Sequence, residues 1–157
     1  MARVLIGTSG WHYDSWRGPF FPEGLPIKNQ LQYYASQFST AELNGVFYRT
    51  PTPEAVRGWR EQTGHDFIFA WKASKFITHW KRLSEKSVNS LELLEDRLSL
   101  LGEKAGPILF QLPPNFQADT DSEQTVMFMG LGSNGKTQIA AVFAYDAYAA
   151  GTFSVVL

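Results

Sequence analysis

The stretch SVNSLELLEDRLSLLGEKAGPILFQL, Ser87 to Leu112, changes period partway along. Leu91, Leu94, Leu98 and Leu101 recur three and four residues apart, which places them on one stripe of a helix. The spacing predicts a helix from Ser87 to Lys104, with Gly102 and Gly106 at its end. The pattern then becomes a nearly continuous apolar run, Pro107 to Leu112, halted by Pro113-Pro114. A short apolar run bounded by breakers reads as a buried strand.

The same alternation extends back towards the start. Phe67 to Lys72 reads as a strand, and Thr52 to Thr63 as a helix. That helix has Thr52 as its cap, Pro53 at its first position and Gly64 as its stop. Thr40 to Val46 reads as a strand, Ile27 to Phe38 as a helix and Arg3 to Gly7 as the first strand. The order β-α-β-α-β-α-β predicts a parallel sheet with crossover helices. Strands this apolar predict burial on both faces.

Composition fits a globular chain. Of 157 residues, 44% are hydrophobic and 18% charged, which excludes a disordered class. A formal net charge of -1 gives no electrostatic argument for a nucleic acid or an anionic membrane as partner. Without cysteine, thiol catalysis and cysteine metal sites are excluded. No run approaches the ~20 apolar residues of a membrane span. The opening residues read as a strand rather than a signal peptide, so the expectation is a cytoplasmic protein.

In parallel α/β sheets, functional groups gather at the carboxyl ends of the strands. Those ends carry Ser9, Trp11 and Tyr13, then Glu42, Asn44, Tyr48 and Arg49. They also carry Lys72, Ser74, Thr78, His79 and Arg82, and finally Gln111. Glu42 fits a general base, or a carboxylate that orients a sugar or an amine. Lys72 fits an anion holder, a nucleophile or an ion-pair partner of Glu42. His79 fits a proton shuttle, or equally a residue that caps a loop or packs on a ring. Arg49 and Arg82 fit phosphate or carboxylate, and Trp11, Tyr13 and Tyr48 offer rings for stacking. The candidate catalytic groups are therefore Glu42, Lys72 and His79. The candidate substrate-binding groups are Trp11, Tyr13, Asn44, Tyr48, Arg49, Ser74, Arg82 and Gln111. His12, His65 and His79 show no metal-ligand spacing, so no metal is predicted. The expected partner is a small polar ligand, anionic or sugar-like, with no cofactor.

Four blocks carry a resemblance: IGTSGWHYDSWRGPFFP, YYASQFSTAELNGVFYRTP, FIFAWKASKFITHWKRL and GPILFQLPPNF. In this order and spacing the chain resembles the YecE-like family, the domain of unknown function 72, from Ile6 to about Asp121. The resemblance implies a TIM-barrel-like fold of uncharacterised biochemistry. Its motif positions fall on the rim residues already named. A whole eight-stranded barrel needs about 250 residues. The expectation is therefore an α/β protein of TIM-barrel-like βα repeats, incomplete, with about four βα units. Residues 1–121 form this half barrel, and residues 122–157 form a divergent βαβ-like or irregular tail. Unpaired outer strands of such a half sheet would favour self-association.

The tail contains GLGSNGKT, Gly130 to Thr137, which fits the phosphate-binding pattern G-x-x-x-x-G-K-[ST]. In that reading Gly130, Gly135, Lys136 and Thr137 bind ATP or GTP with Mg²⁺. It requires a strand over Thr125 to Gly130 and a helix over Gln138 to Ala149. The alternatives are a flexible linker at the same place and a truncated, non-catalytic fragment.

Overall fold

The computed structural model describes residues 4–116, together with the backbone of two further strands within 126–143. Strands β1 (Gly7–Ser9), β2 (Thr40–Leu43), β3 (Ile68–Lys72) and β4 (Ala105–Leu109) form one sheet in the order β1-β2-β3-β4. All neighbouring pairs are parallel. Helices α1 (Gln30–Gln37), α2 (Pro53–Glu61) and α3 (Val88–Ser99) link successive strands. This is the α/β, partial TIM-barrel-like arrangement expected from the alternating pattern. Among the described residues, no helix is long and apolar enough to cross a membrane.

The register fixes which side chains share a face. Ser9 pairs with Glu42, and Glu42 with Ala70. Side chains alternate along a strand, so Ala41, Leu43, Phe69 and Trp71 point one way while Glu42, Ala70 and Lys72 point the other. The first set is buried, in one cluster with Val56 of α2 and Leu94 and Leu98 of α3. The second face is less covered: Ser9 is exposed, and Glu42 and Ala70 are half-buried. Burial on both faces, expected from the apolar strands, is thus found on the helix side only among the described residues.

The first strand lies later than expected. The apolar run at its start leaves Val4 and Ile6 exposed, and the pairing residues are Gly7, Thr8 and Ser9. A Cβ on Gly7 would overlap the carbonyl oxygen of Thr40, so only glycine permits this approach. Tyr34 of α1, fully buried, ties the join. Its hydroxyl accepts from Thr8 N at 2.8 Å and donates to Thr40 O at 3.0 Å. Gly10 then turns the chain at φ 83°.

The Leu stripe behaves as read: Leu94, Leu98 and Leu101 are buried and Leu91 packs on the core. Thr52 caps α2, its Oγ1 accepting from Ala55 N at 3.3 Å.

The tail corrects one expectation. Strands β5 (Val126–Ser133) and β6 (Lys136–Phe143) pair antiparallel, Ser133 opposite Lys136 and Gly132 opposite Thr137. Gly130 therefore lies inside one strand, and Lys136 and Thr137 inside the next. A P-loop needs a helix to follow its lysine, so that helical N–H groups converge on phosphate. Here Lys136 opens a strand, so the helix expected from Gln138 is replaced by a strand as far as Phe143. Between the two strands the sequence is Asn-Gly, the pair most favoured for two-residue hairpin loops. Gly135 itself, the expected helix beyond Phe143 and residues 152–157 lie outside the described residues.

Candidate functional site

At the carboxyl ends of β1, β2 and β3, polar side chains meet on the less covered face. Ser9 Oγ donates to Glu42 Oε1 at 2.7 Å. The backbone of Glu42 is held as well, its carbonyl accepting from Gly10 N and Asn44 N at 2.8 and 3.0 Å. Tyr13 donates its hydroxyl to the carbonyl oxygen of Ser9. These bonds fix the carboxylate beside the next strand.

Lys72 lies two residues beyond Ala70, the register partner of Glu42, and so on the same face. It is only 9% exposed. Its ammonium donates to Asn44 Oδ1 at 3.2 Å and stands 4.7 Å from the centre of the Phe47 ring. None of the ion pairs among the described residues involves Lys72 or Glu42. The simple structural pair between them does not form. A buried ammonium thus faces one neutral oxygen and one π surface, with donors to spare.

His79 sits on a π-helical turn, Phe76–Trp80, and meets the Phe47 ring at 5.3 Å and 81°. Its Nδ1 is 2.9 Å from Thr78 Oγ1, which also reaches Ser74 O at 3.2 Å. A carbonyl can only accept, so the one hydroxyl proton of Thr78 goes to Ser74 O. The hydroxyl then accepts from Nδ1–H, which leaves Nε2 with the lone pair. Burial, followed by the charges of Lys75 and Lys72, pulls the pKa of His79 below its ordinary value. Both effects favour a neutral imidazole able to accept a proton.

The remaining rim residues do not join this group. Tyr48, Arg49 and Ser74 line a separate cleft of about 430 Å³, between the loop of residues 46–51 and the π turn. Trp11 packs on Trp59 and Phe69 at 5.9 and 6.2 Å, as a core ring does. Arg82, exposed, donates to Asn115 Oδ1 at 2.8 Å. Gln111 lies half-buried just beyond β4. Among the described residues no group of three or more His, Asp or Glu side chains could hold a metal ion.

Phe47, at the centre of the site, was not singled out by sequence reasoning. It is buried and apolar, and in a sequence it looks like any core ring. The one available signal was its position inside the block Asn44-Gly-Val-Phe-Tyr-Arg49.

Comparison with known proteins gives a consistent picture. Residues 5–134 match the family model described as "Protein of unknown function DUF72". The UPF0759 protein YecE of Escherichia coli is 34% identical over 113 residues, covering 72% of this chain and 39% of the relative. The UPF0759 protein YunF of Bacillus subtilis is 29% identical over 126 residues, covering 76% and 43%. A solved DUF72 family protein from Thermotoga maritima superposes with a TM-score of 0.61 at 28% identity, over 76% of this chain and 48% of that one. One from Enterococcus faecalis gives 0.55 at 21% identity, over 73% and 41%, a likeness of fold alone. The chain spans about two fifths of the length of the curated relatives it matches.

Proposed function

This chain belongs to the DUF72 family, and from that premise we propose that the carboxyl ends of β1 to β3 bind a small anionic ligand of sugar- or phosphate-like character. The observation that carries the proposal is Lys72: its ammonium is nearly buried and, among the described residues, has one neutral acceptor and no carboxylate paired with it. Burying an unpaired charge is costly, and an anion lying against it recovers that cost. Lys72 holds the anion. Asn44 and the Phe47 ring position Lys72. Glu42, oriented by Ser9, accepts a hydroxyl or amine proton of the ligand. His79 offers Nε2 as a second proton acceptor. These are the parts of an acid-base site. The matched region is only about two fifths of the length of the curated relatives, whose remaining length would supply the rest of the rim, so turnover by the described residues alone is expected to be weak.

A thermal-shift titration with glucose 6-phosphate and inorganic phosphate tests the reading. Binding at 100 times Kd stabilises by about 2.7 kcal/mol, well within detection. The expected result is a rise in Tm with glucose 6-phosphate that Lys72→Met abolishes. No shift at millimolar ligand, or the same shift in Lys72→Met, would overturn it.

A further inference from the structure

The cleft behind Phe47 is a different place from the Lys72 site. Its floor is apolar and buried, made by Trp71 on the helix side of β3, Ile77 and Leu94. At the same cleft stand two large rings in solvent, Tyr48 at 75% and Trp80 at 69% exposure. Exposed aromatics beside a concave apolar floor mark a binding surface more often than a lone exposed ring does. Among the described residues, the lining carries two cations, Arg49 and Lys75, and no carboxylate. α3 reaches the cleft through Ser90 in its first turn, which holds no acidic residue to offset the positive end of the helix. Charge and shape together call for a ligand with a flat apolar part and a negative group.

The backbone that presents Trp80 is strained. The π turn ends at Trp80, and Arg82 and Leu83 follow at φ 48° and 62°. Non-glycine residues in that region cost about 1–3 kcal/mol each and persist where surrounding contacts impose them. The contacts here are Lys81 N to Phe76 O at 2.8 Å, Leu83 N to Ile77 O at 3.0 Å, and Arg82 to Asn115. Leu83 also packs on the core. Such turns recur at functional sites.

We propose that this cleft is a second binding site, for a free small aromatic anion. The ring of the ligand packs on Trp80 and Tyr48 above the apolar floor, and its acid group meets Arg49 and Lys75. Lys72 is not among the lining residues, although Phe47, whose ring stands against Lys72, is. A volume of about 430 Å³ admits one ring with its acid group.

Isothermal titration in the Lys72→Met background keeps any anion binding at the rim silent. Phenyl phosphate, phenol and inorganic phosphate are the probes. Phenyl phosphate is expected to bind at least about tenfold more tightly than either other probe. Adding Trp80→Ala or Arg49→Ala is expected to weaken it by about tenfold each, near 1.4 kcal/mol. Both side chains are exposed, and melting curves matching the parent confirm that the variants fold. Any of these results overturns the proposal: no binding of phenyl phosphate at millimolar concentration, phosphate binding equally well, phenol binding equally well, or affinity unchanged in both variants. Binding that appears only when Lys72 is restored also overturns it, by assigning the ligand to the rim.

Discussion

Two lysines lie nearly buried at opposite ends of one sheet, and their surroundings differ. Lys104, 5% exposed, immediately precedes β4 at the amino end. Its ammonium donates to Arg60 O at 2.6 Å, Thr63 O at 2.7 Å and Thr63 Oγ1 at 3.1 Å. Three donors meet three oxygens where α2 ends and leaves carbonyls without helical partners. Lys72 ends β3 at the carboxyl end and has Asn44 Oδ1 and a ring. A satisfied buried cation serves stability, whereas an unsatisfied one costs stability unless a ligand completes it. The hollow near Lys104, about 390 Å³, fits this account. Its Arg60 pairs with Glu103 at 2.9 Å, and its Arg57 approaches Glu54 at 3.8 Å. Little charge is left there for a ligand.

The largest expected effect breaks the satisfied end. Lys104→Met strands the oxygens of Arg60 and Thr63 and is expected to cost about 3 kcal/mol in urea unfolding, since bonds to charged groups are the strong ones. The ligand response at the carboxyl end should survive. A loss below about 1 kcal/mol would mean that the three bonds do not hold α2. The opposite end of the same helix has a weaker fastening, so Thr52→Ala is expected to cost about 1 kcal/mol. Lys72→Met should leave stability unchanged or raise it, because a methionine there buries no charge. A loss as large as that of Lys104→Met would erase the contrast between the two ends.

The smallest effect is a pH dependence confined to the carboxyl end. The folded pKa of His79 is depressed by burial and by Lys75 and Lys72. As the pH falls below the ordinary imidazole value of 6.5, the unfolded chain takes up its proton first. Stability from this group is complete above that pH and is lost as the pH falls through the folded pKa. Urea midpoints measured from pH 7.5 downward should decline in this window, and His79→Gln should flatten the decline. A parallel decline in both proteins would assign it to other groups.

Much of the fold was legible because its signals are local. The Leu91 to Leu101 stripe, the Thr52-Pro53 start and the run Phe67 to Lys72 each name an element from a few neighbouring residues. The first strand was misplaced because Val4 and Ile6 are apolar, yet what pairs is decided by a missing Cβ on Gly7 and a hydroxyl on Tyr34, 26 residues from Thr8. The helix expected after the glycine-lysine motif was misplaced in the same way. The motif's fixed residues are present, but the Asn-Gly pair inside it is also a hairpin signal, and strand pairing was chosen. For the site, the sequence supplied the residue types at the strand ends. It could not divide them. That Tyr48, Arg49 and Ser74 line one cleft while Glu42, Asn44 and Lys72 share another face depends on register and on the Phe47 ring. Loop direction is a tertiary property that spacing does not carry.

Amide ¹H–¹⁵N spectra titrated with glucose 6-phosphate test the contrast between the two lysines most directly. The account predicts shifts concentrated at Glu42 to Phe47 and Lys72 to Ser74, with Thr63 and Ala105 unmoved. Shifts centred on Thr63 and Ala105, or none near Lys72 at saturating ligand, would contradict it.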